Sequence, residues 1–107
     1  MTKGDIVLIT FPFTDLSGSK LRPSLVLTTE KSDVTVSFIT SNLKEVSAGD
    51  LVLKAAWYNG LRKDSLLKLN KIVTFDIDLV IVKIGRLNKS ELKEVDKKLI
   101  EVFKINV

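Results

Sequence analysis

Histidine and cysteine are both absent from this sequence, which narrows the available chemistry before any fold is considered. Without a thiol there is no disulfide and no thiolate nucleophile. Without imidazole or thiolate a structural zinc site lacks its usual ligands, so no metal and no cofactor is expected. Among the groups that remain, guanidinium is the best matched to phosphate, because its planar donor fork meets two oxygens at once. Arginine occurs at only three positions, Arg22, Arg62 and Arg86. Arg22 stands directly before Pro23, whose ring fixes the backbone after it, so the side chain is held rather than trailing. An arginine picked at random in such a place is a surface residue capping a strand. A second feature is the placement of charge. From Lys54 to Lys71 there are five cations (Lys54, Arg62, Lys63, Lys68, Lys71) against one acid, Asp64, so this stretch alone carries +4. Asp64 can pair with Arg62 or Lys63, or accept from a ligand, and both readings stay open. Trp57 and Tyr58 fall in the same stretch. They offer either ring faces on which unpaired bases stack or contacts to the core and to a partner.

The whole chain of 107 residues has 17 basic and 13 acidic residues, a net charge of +4, and a pI near 9.4. That balance permits a polyanionic partner without requiring one. An apolar fraction of 45% is high beside 28% charged residues. The surplus calls for buried surface, and a homodimer interface is the simplest way to supply it. The length fits one domain, residues 1–107, with no room for a separate regulatory module. Met1-Thr2-Lys3-Gly4 leads straight into a strand pattern with no signal peptide. The longest apolar runs, Ile6 to Ile9 and Leu79 to Val82, fall far short of the about 20 residues that span a membrane. A cytoplasmic protein is expected, with no membrane partner.

The elements that must position these groups are mostly strands. Asp5 to Phe11 is rich in β-branched and aromatic residues and reads as the first. Thr14 to Lys20 is a polar, turn-forming loop. Pro23 opens a second strand, Ser24 to Thr29. Glu30 to Asp33 is a turn, and Val34 to Thr40 a third strand. Ser41 to Gly49 is a polar crossing to Leu51–Leu53. Ser65 to Leu69 and Ile72 to Phe75 read as two strands around Asn70-Lys71, and Leu79 to Ile84 as a sixth run stopped by Gly85. The period then changes. Asn88 stands three positions before Glu91, a capping-box variant. Leu92, Val95, Leu99, Val102 and Phe103 follow at helical spacing. Short strands with one terminal amphipathic helix point to a small, mainly β (α+β) barrel, SH3-like or OB-like.

Four stretches carry a resemblance. KGDIVLITFPFTDLSGSKLRPSLVL, Lys3 to Leu27, is similar to the first hairpin of the MazF/PemK toxin family of type II toxin–antitoxin systems. ITSNL (Ile39 to Leu43), KDSLLKLNKIVTFD (Lys63 to Asp76) and KIGRLNKSELKEV (Lys83 to Val95) follow in the family's order. Each is weak alone, but four in order cover nearly the whole chain.

The resemblance implies an SH3-like barrel of the MazF/PemK/CcdB type with a C-terminal helix, a homodimer, and a sequence-specific endoribonuclease acting on single-stranded RNA. It also implies a cognate antitoxin protein that covers the RNA groove. Cleavage through the neighbouring 2′-OH needs no metal and no enzyme nucleophile. It needs help in deprotonating the 2′-OH, neutralising charge on the phosphorus oxygens and protonating the leaving 5′-oxygen. By resemblance Arg22, in the family's Arg-Pro pair, is the catalytic arginine. Thr40 occupies the catalytic hydroxyl position and orients a phosphate oxygen. Ser41 and Asn42 begin the loop after it. Lys63, Asp64 and Ser65 match the segment whose side chains contact RNA. Ser19 and Lys20 close the Asp15–Lys20 loop, which resembles the family's mobile loop over the groove. Some members place a histidine near the scissile phosphate. None exists here, so the general base and acid stay open. A CcdB-like topoisomerase poison is the main rival. It depends on a tryptophan near the C-terminus, whereas the only tryptophan here is Trp57. A catalytically silent RNA- or antitoxin-binding barrel is the second rival, and the retention of both Arg22 and Thr40 weighs against it.

Overall fold

The computed structural model describes residues 1–12 and 19–107. The loop read at Thr14 to Lys20 therefore lies mostly outside the described residues. The strands are β1 (Asp5–Pro12), β2 (Ser19–Glu30), β3 (Asp33–Thr40), β4 (Asp50–Leu53), β5 (Ser65–Asp76) and β6 (Val80–Arg86). A 3₁₀ turn, Ile77–Leu79, joins the last two, and α1 (Lys89–Phe103) closes the described fold. All the strands belong to one sheet in the order β4-β5-β3-β2-β1-β6, with every ladder antiparallel. β4 and β6 are its two edges and are not joined to each other. The sheet is thus mainly β with a C-terminal helix, as expected, but a barrel only in the loose sense.

Three strand readings need correction. β2 starts at Ser19, so Pro23 lies inside it and does not open it. At Pro23 the strand has only β1 as a neighbour, because its ladder with β3 begins at Ser24. A missing N–H is tolerated at such an edge-like place. The two strands around Asn70-Lys71 are one strand. Ser37 pairs with Ile72 but Phe38 with Lys68, so β5 gains three residues at that point. The Ser37 hydroxyl donates to the Lys68 carbonyl at 2.6 Å, satisfying an acceptor where the ladder breaks. Finally, Gly85 does not stop β6 but lies within it. A Cβ there would stand 2.2 Å from the Asn59 carbonyl carbon, and one on Gly60 would stand 2.2 Å from the Ile84 oxygen. With φ +73° at Gly60, glycine alone lets the 54–64 loop lie flat on β6.

Side chains alternate across the sheet and build two buried clusters. Ile6, Leu25, Ile39, Leu67 and Leu69 face α1, which contributes Val95 and the flanking Leu92, Leu99 and Val102. Val7, Ile9, Val26, Val34 and Val36 form the second cluster, with Phe38 and Phe75 packed against it. The helix begins as read. Asn88 accepts from the Glu91 amide at 2.8 Å and Glu91 accepts from the Asn88 amide at 3.0 Å. Phe103, assigned to its apolar stripe, is instead 58% exposed.

Candidate active site

The ladder between β2 and β3 ends at Ser24–Phe38, yet both strands run on. Extending that register by two residues sets Arg22 opposite Thr40. The two side chains whose types had singled them out therefore lie near one another, both lining the opening where the strands part. Two clefts meet there. The smaller, of about 340 Å³, has Phe11, Phe38, Asn42, Glu45, Lys68 and Lys71 in its walls. The larger, of about 590 Å³, is walled by Lys20, Ser41, Arg62, Lys63 and Ser65, with apolar floor from Leu8, Leu61 and Ile84. Arg22, Ile39 and Thr40 line both.

The electrostatics of the junction are one-sided. Among the described residues the ion pairs involve Lys3, Lys68, Lys83, Arg86 and Lys98. Lys20, Arg22, Arg62, Lys63 and Lys71 are in none of them. The larger cleft thus gathers four cations with no carboxylate in its walls among the described residues. Fixed like charges left uncompensated in a concave surface focus a positive potential, which attracts polyanions. Lys68 differs. It bonds Asp50 at 2.7 Å and the Glu45 carbonyl at 2.7 Å, and so braces the 41–49 crossing against β5. Burial pushes the Asp50 carboxyl upward, but Lys68 and the Ser47 amide and hydroxyl outweigh it and hold its pKa below the ordinary value.

Thr40 is oriented by its own loop. Its hydroxyl oxygen accepts from the Asn42 amide at 3.1 Å, and the Asn42 side-chain oxygen accepts from the Lys44 amide at 3.0 Å. A hydroxyl has one proton and two lone pairs. With a lone pair engaged by the backbone, its proton is left for an acceptor in the cleft. Asp64 is placed otherwise. Its carboxylate accepts from the Ala55 amide at 2.8 Å, and it lines neither cleft. It pairs with neither Arg62 nor Lys63, and ties the two ends of the 54–64 loop together. Ser65 is buried beside the larger cleft and donates to the Lys63 carbonyl at 2.9 Å. Ser19 is placed only through its backbone pairing with Pro12. Trp57 is 94% exposed and meets Tyr58 edge to face at 5.8 Å, away from both cleft linings. Phe11, Phe38 and Glu45 were not anticipated. The phenylalanines carry only a strand signal, and Glu45 sits in a polar crossing with no motif.

The model of the PemK-like, MazF-like toxins of type II toxin–antitoxin systems matches residues 2–103. The chain belongs to this family. No curated protein sequence matches it, but solved MazF-like structures share its fold. A MazF from Deinococcus radiodurans, solved in a MazE–MazF complex, superposes with a TM-score of 0.80 at 19% identity, covering 99% of this chain and 97% of that one. A mycobacterial endoribonuclease in complex with its cognate antitoxin gives 0.77 at 12% identity, with 100% and 98% covered. The Mycobacterium tuberculosis toxin MazF-mt6 gives 0.74 at 23% identity, with 94% and 99% covered. Within this MazF-like fold, Arg22 and Thr40 stand at the mouth of the parted strands, and the surplus cations stand on the same side.

Proposed function

We propose that this MazF-like toxin is a metal-independent endoribonuclease that cleaves single-stranded RNA at the junction of the two clefts. The observation that carries the reading is the convergence of an ion-pair-free Arg22 with an oriented Thr40 hydroxyl where two cationic clefts meet. In this reading the strand threads from one cleft to the other, with the scissile phosphate between Arg22 and Thr40. The neighbouring 2′-OH attacks phosphorus, and two negative oxygens develop as the phosphorane forms. The Arg22 fork meets them, more strongly than in the ground state because the charge has grown. Thr40 donates to one of these oxygens and keeps the phosphate in line. A threonine hydroxyl is too weak an acid to exchange its proton near neutrality, so it positions and polarises. The P–O5′ bond breaks, water taking the 2′-OH proton and returning one to O5′, which leaves a 2′,3′-cyclic phosphate and a 5′-OH. Lys20, Arg62 and Lys63 hold flanking phosphates.

The toxin functions in this reading as a cytoplasmic homodimer. Its cognate antitoxin is a competing occupant of the basic cleft, which its charge equips to receive an acidic segment. The neighbours solved with antitoxins support that assignment.

The test is digestion of a long single-stranded RNA in EDTA by wild type, Arg22→Ala and Thr40→Ala, with the product ends analysed. Removing a group that stabilises transition-state charge typically lowers the rate by roughly 10²–10³. Metal-free cutting with 5′-OH ends, lost in Arg22→Ala while the fold survives, is the expected result. Intact RNA together with tight binding of an antitoxin or a topoisomerase would make the fold a binding module instead.

A further inference from the structure

Among the described residues only the smaller of the two clefts has an acid in its wall, and that acid is badly placed for a phosphate site. Glu45 shares this cleft with Arg22, Lys68 and Lys71. Among the described residues its carboxylate accepts no hydrogen bond and forms no ion pair. A carboxylate in a phosphate track repels the ligand and weakens the field of its neighbours. The same carboxylate suits a neutral ligand edge that offers donors. The rest of the cleft fits such a ligand. Phe11 and Phe38 meet edge to face at 4.8 Å and present ring surface to it, and unpaired bases stack on aromatic faces. Asn42 supplies a second polar group. Its oxygen is committed to the Lys44 amide at 3.0 Å, which fixes the amide orientation and leaves the NH₂ group to donate.

We propose that the smaller cleft is a nucleobase pocket in which Glu45 and Asn42 select guanine. This rests on the RNA reading of the same site. The Watson–Crick edge of guanine presents O6 as an acceptor and then N1–H and the N2 amino group as two adjacent donors. The two donors match the two oxygens of one carboxylate, and O6 matches the Asn42 amide. Adenine and cytosine each offer one amino donor beside an acceptor, so they make two of the three bonds. Uracil would turn O2 toward the Glu45 oxygens. The cations are then divided by task. Lys68 braces the Glu45 backbone at 2.7 Å, while Arg22 stands between the pocket and the phosphate track.

The experiment is binding of fluorescent hexauridylates whose 2′-fluoro sugars cannot be cleaved. Each carries a single G, inosine, A or C, placed at each position in turn. Inosine lacks only the N2 amino group, so the ratio of guanine to inosine affinity isolates one hydrogen bond to the carboxylate. Wild type is expected to show one position where guanine binds on the order of tenfold more tightly than inosine. Glu45→Gln and Glu45→Ala are expected to bring that ratio close to one while still binding hexauridylate. Glu45 is exposed, so both variants should fold, which circular dichroism checks. Equal binding of guanine and inosine everywhere, or a preference that survives Glu45→Gln, overturns the proposal. Mapping cut sites on a long RNA separates it from the nuclease reading. Guanine-selective binding without cutting leaves the pocket standing and removes the nuclease, whereas cutting with no guanine preference does the reverse.

Discussion

Two arginines of this chain lie on the same sheet and live under opposite conditions. Arg86, at the end of β6, donates to the Asp5 carboxylate at 2.7 Å and reaches the Thr2 hydroxyl at 3.2 Å. Asp5 is buried and also accepts from the Thr2 amide at 2.9 Å, with Lys83 at 3.2 Å. Arg22, on β2, has no carboxylate paired with it among the described residues, and of the cations around it Lys20, Arg62, Lys63 and Lys71 have none either, whereas Lys68 is tied to Asp50. Counter-charge is supplied where it ties the N-terminus to the last strand and withheld where a polyanion must enter. An uncompensated cationic cleft does nothing for the folded state, since gathered like charges repel. Its presence in so small a domain is therefore an argument for a ligand.

The sharpest way to break this contrast is to truncate the two arginines in parallel. Arg22→Ala should lower RNA cleavage by roughly 10²–10³ and leave the unfolding midpoint nearly unchanged, because no partner is orphaned. Arg86→Ala should do the opposite, lowering stability by about 1–3 kcal/mol with cleavage preserved below the new midpoint. Denaturant melts and initial rates on the same preparations check both. A large fall in stability for Arg22→Ala would mean that this side chain is part of the fold and not held ready for substrate.

Much of this division was legible in the sequence, and what was missed has physical causes. Arg22 and Thr40 stood out through motif resemblance, and both line the two clefts where β2 and β3 part. The capping box at Asn88 and Glu91 was readable because it is local: both partners lie within one helical turn. Asp64 was not readable, since its partner is the Ala55 amide across a loop and side-chain type says nothing of backbone donors. The offset in β5 left only a polar Asn70-Lys71 pair, which looks like a turn. What keeps the strand continuous is the pairing of Ile72–Asp76 with β3 on its far side. Gly85 was taken as a stop because the loop that crowds it comes from residues around Asn59. Glu45 had no signal at all. Its meaning comes from being an acid among three cations gathered from two strands, Arg22 of β2 and Lys68 and Lys71 of β5.

Acid sharpens the same comparison with a smaller effect. Burial raises the Asp5 pKa, but the Thr2 amide, Arg86 and Lys83 outweigh it, so the net shift is downward from the ordinary carboxylate value. A depressed folded-state pKa means that the unfolded chain binds the proton more readily. The stabilisation is then fully present above the unfolded value of about 3.9 and is lost as pH falls through the folded one. Asp5→Asn should therefore lower stability near neutral pH by about 1–2 kcal/mol. That estimate is discounted because Arg86 and Lys83 are about half exposed and solvent screens them. As pH falls through the lowered folded-state pKa of Asp5, the variant and wild type should converge. Part of the acid sensitivity should persist in the variant, because Asp50 is shifted in the same direction. Melts at several pH values check this, and a gap that widens toward low pH would reverse the assigned sign.

The smallest expected effect concerns the cations that touch no reacting atom. Lys20, Arg62 and Lys63 are exposed on the walls of the larger cleft. If each meets one phosphate, each releases its share of condensed counterions from the RNA. The slope of log affinity against log salt should then fall by about 0.7 for each cation removed from contact with a single strand. Arg62→Ala and Lys63→Ala should weaken binding only a few-fold at moderate salt, by similar factors for every RNA sequence, and should flatten that slope. Lys83→Ala, on the Asp5 side, should leave the slope where it was. Titrating binding across salt for these three variants tests whether the uncompensated charges act as a phosphate track. Equal slopes for all three would leave the larger cleft without that role, whatever the fate of Arg22.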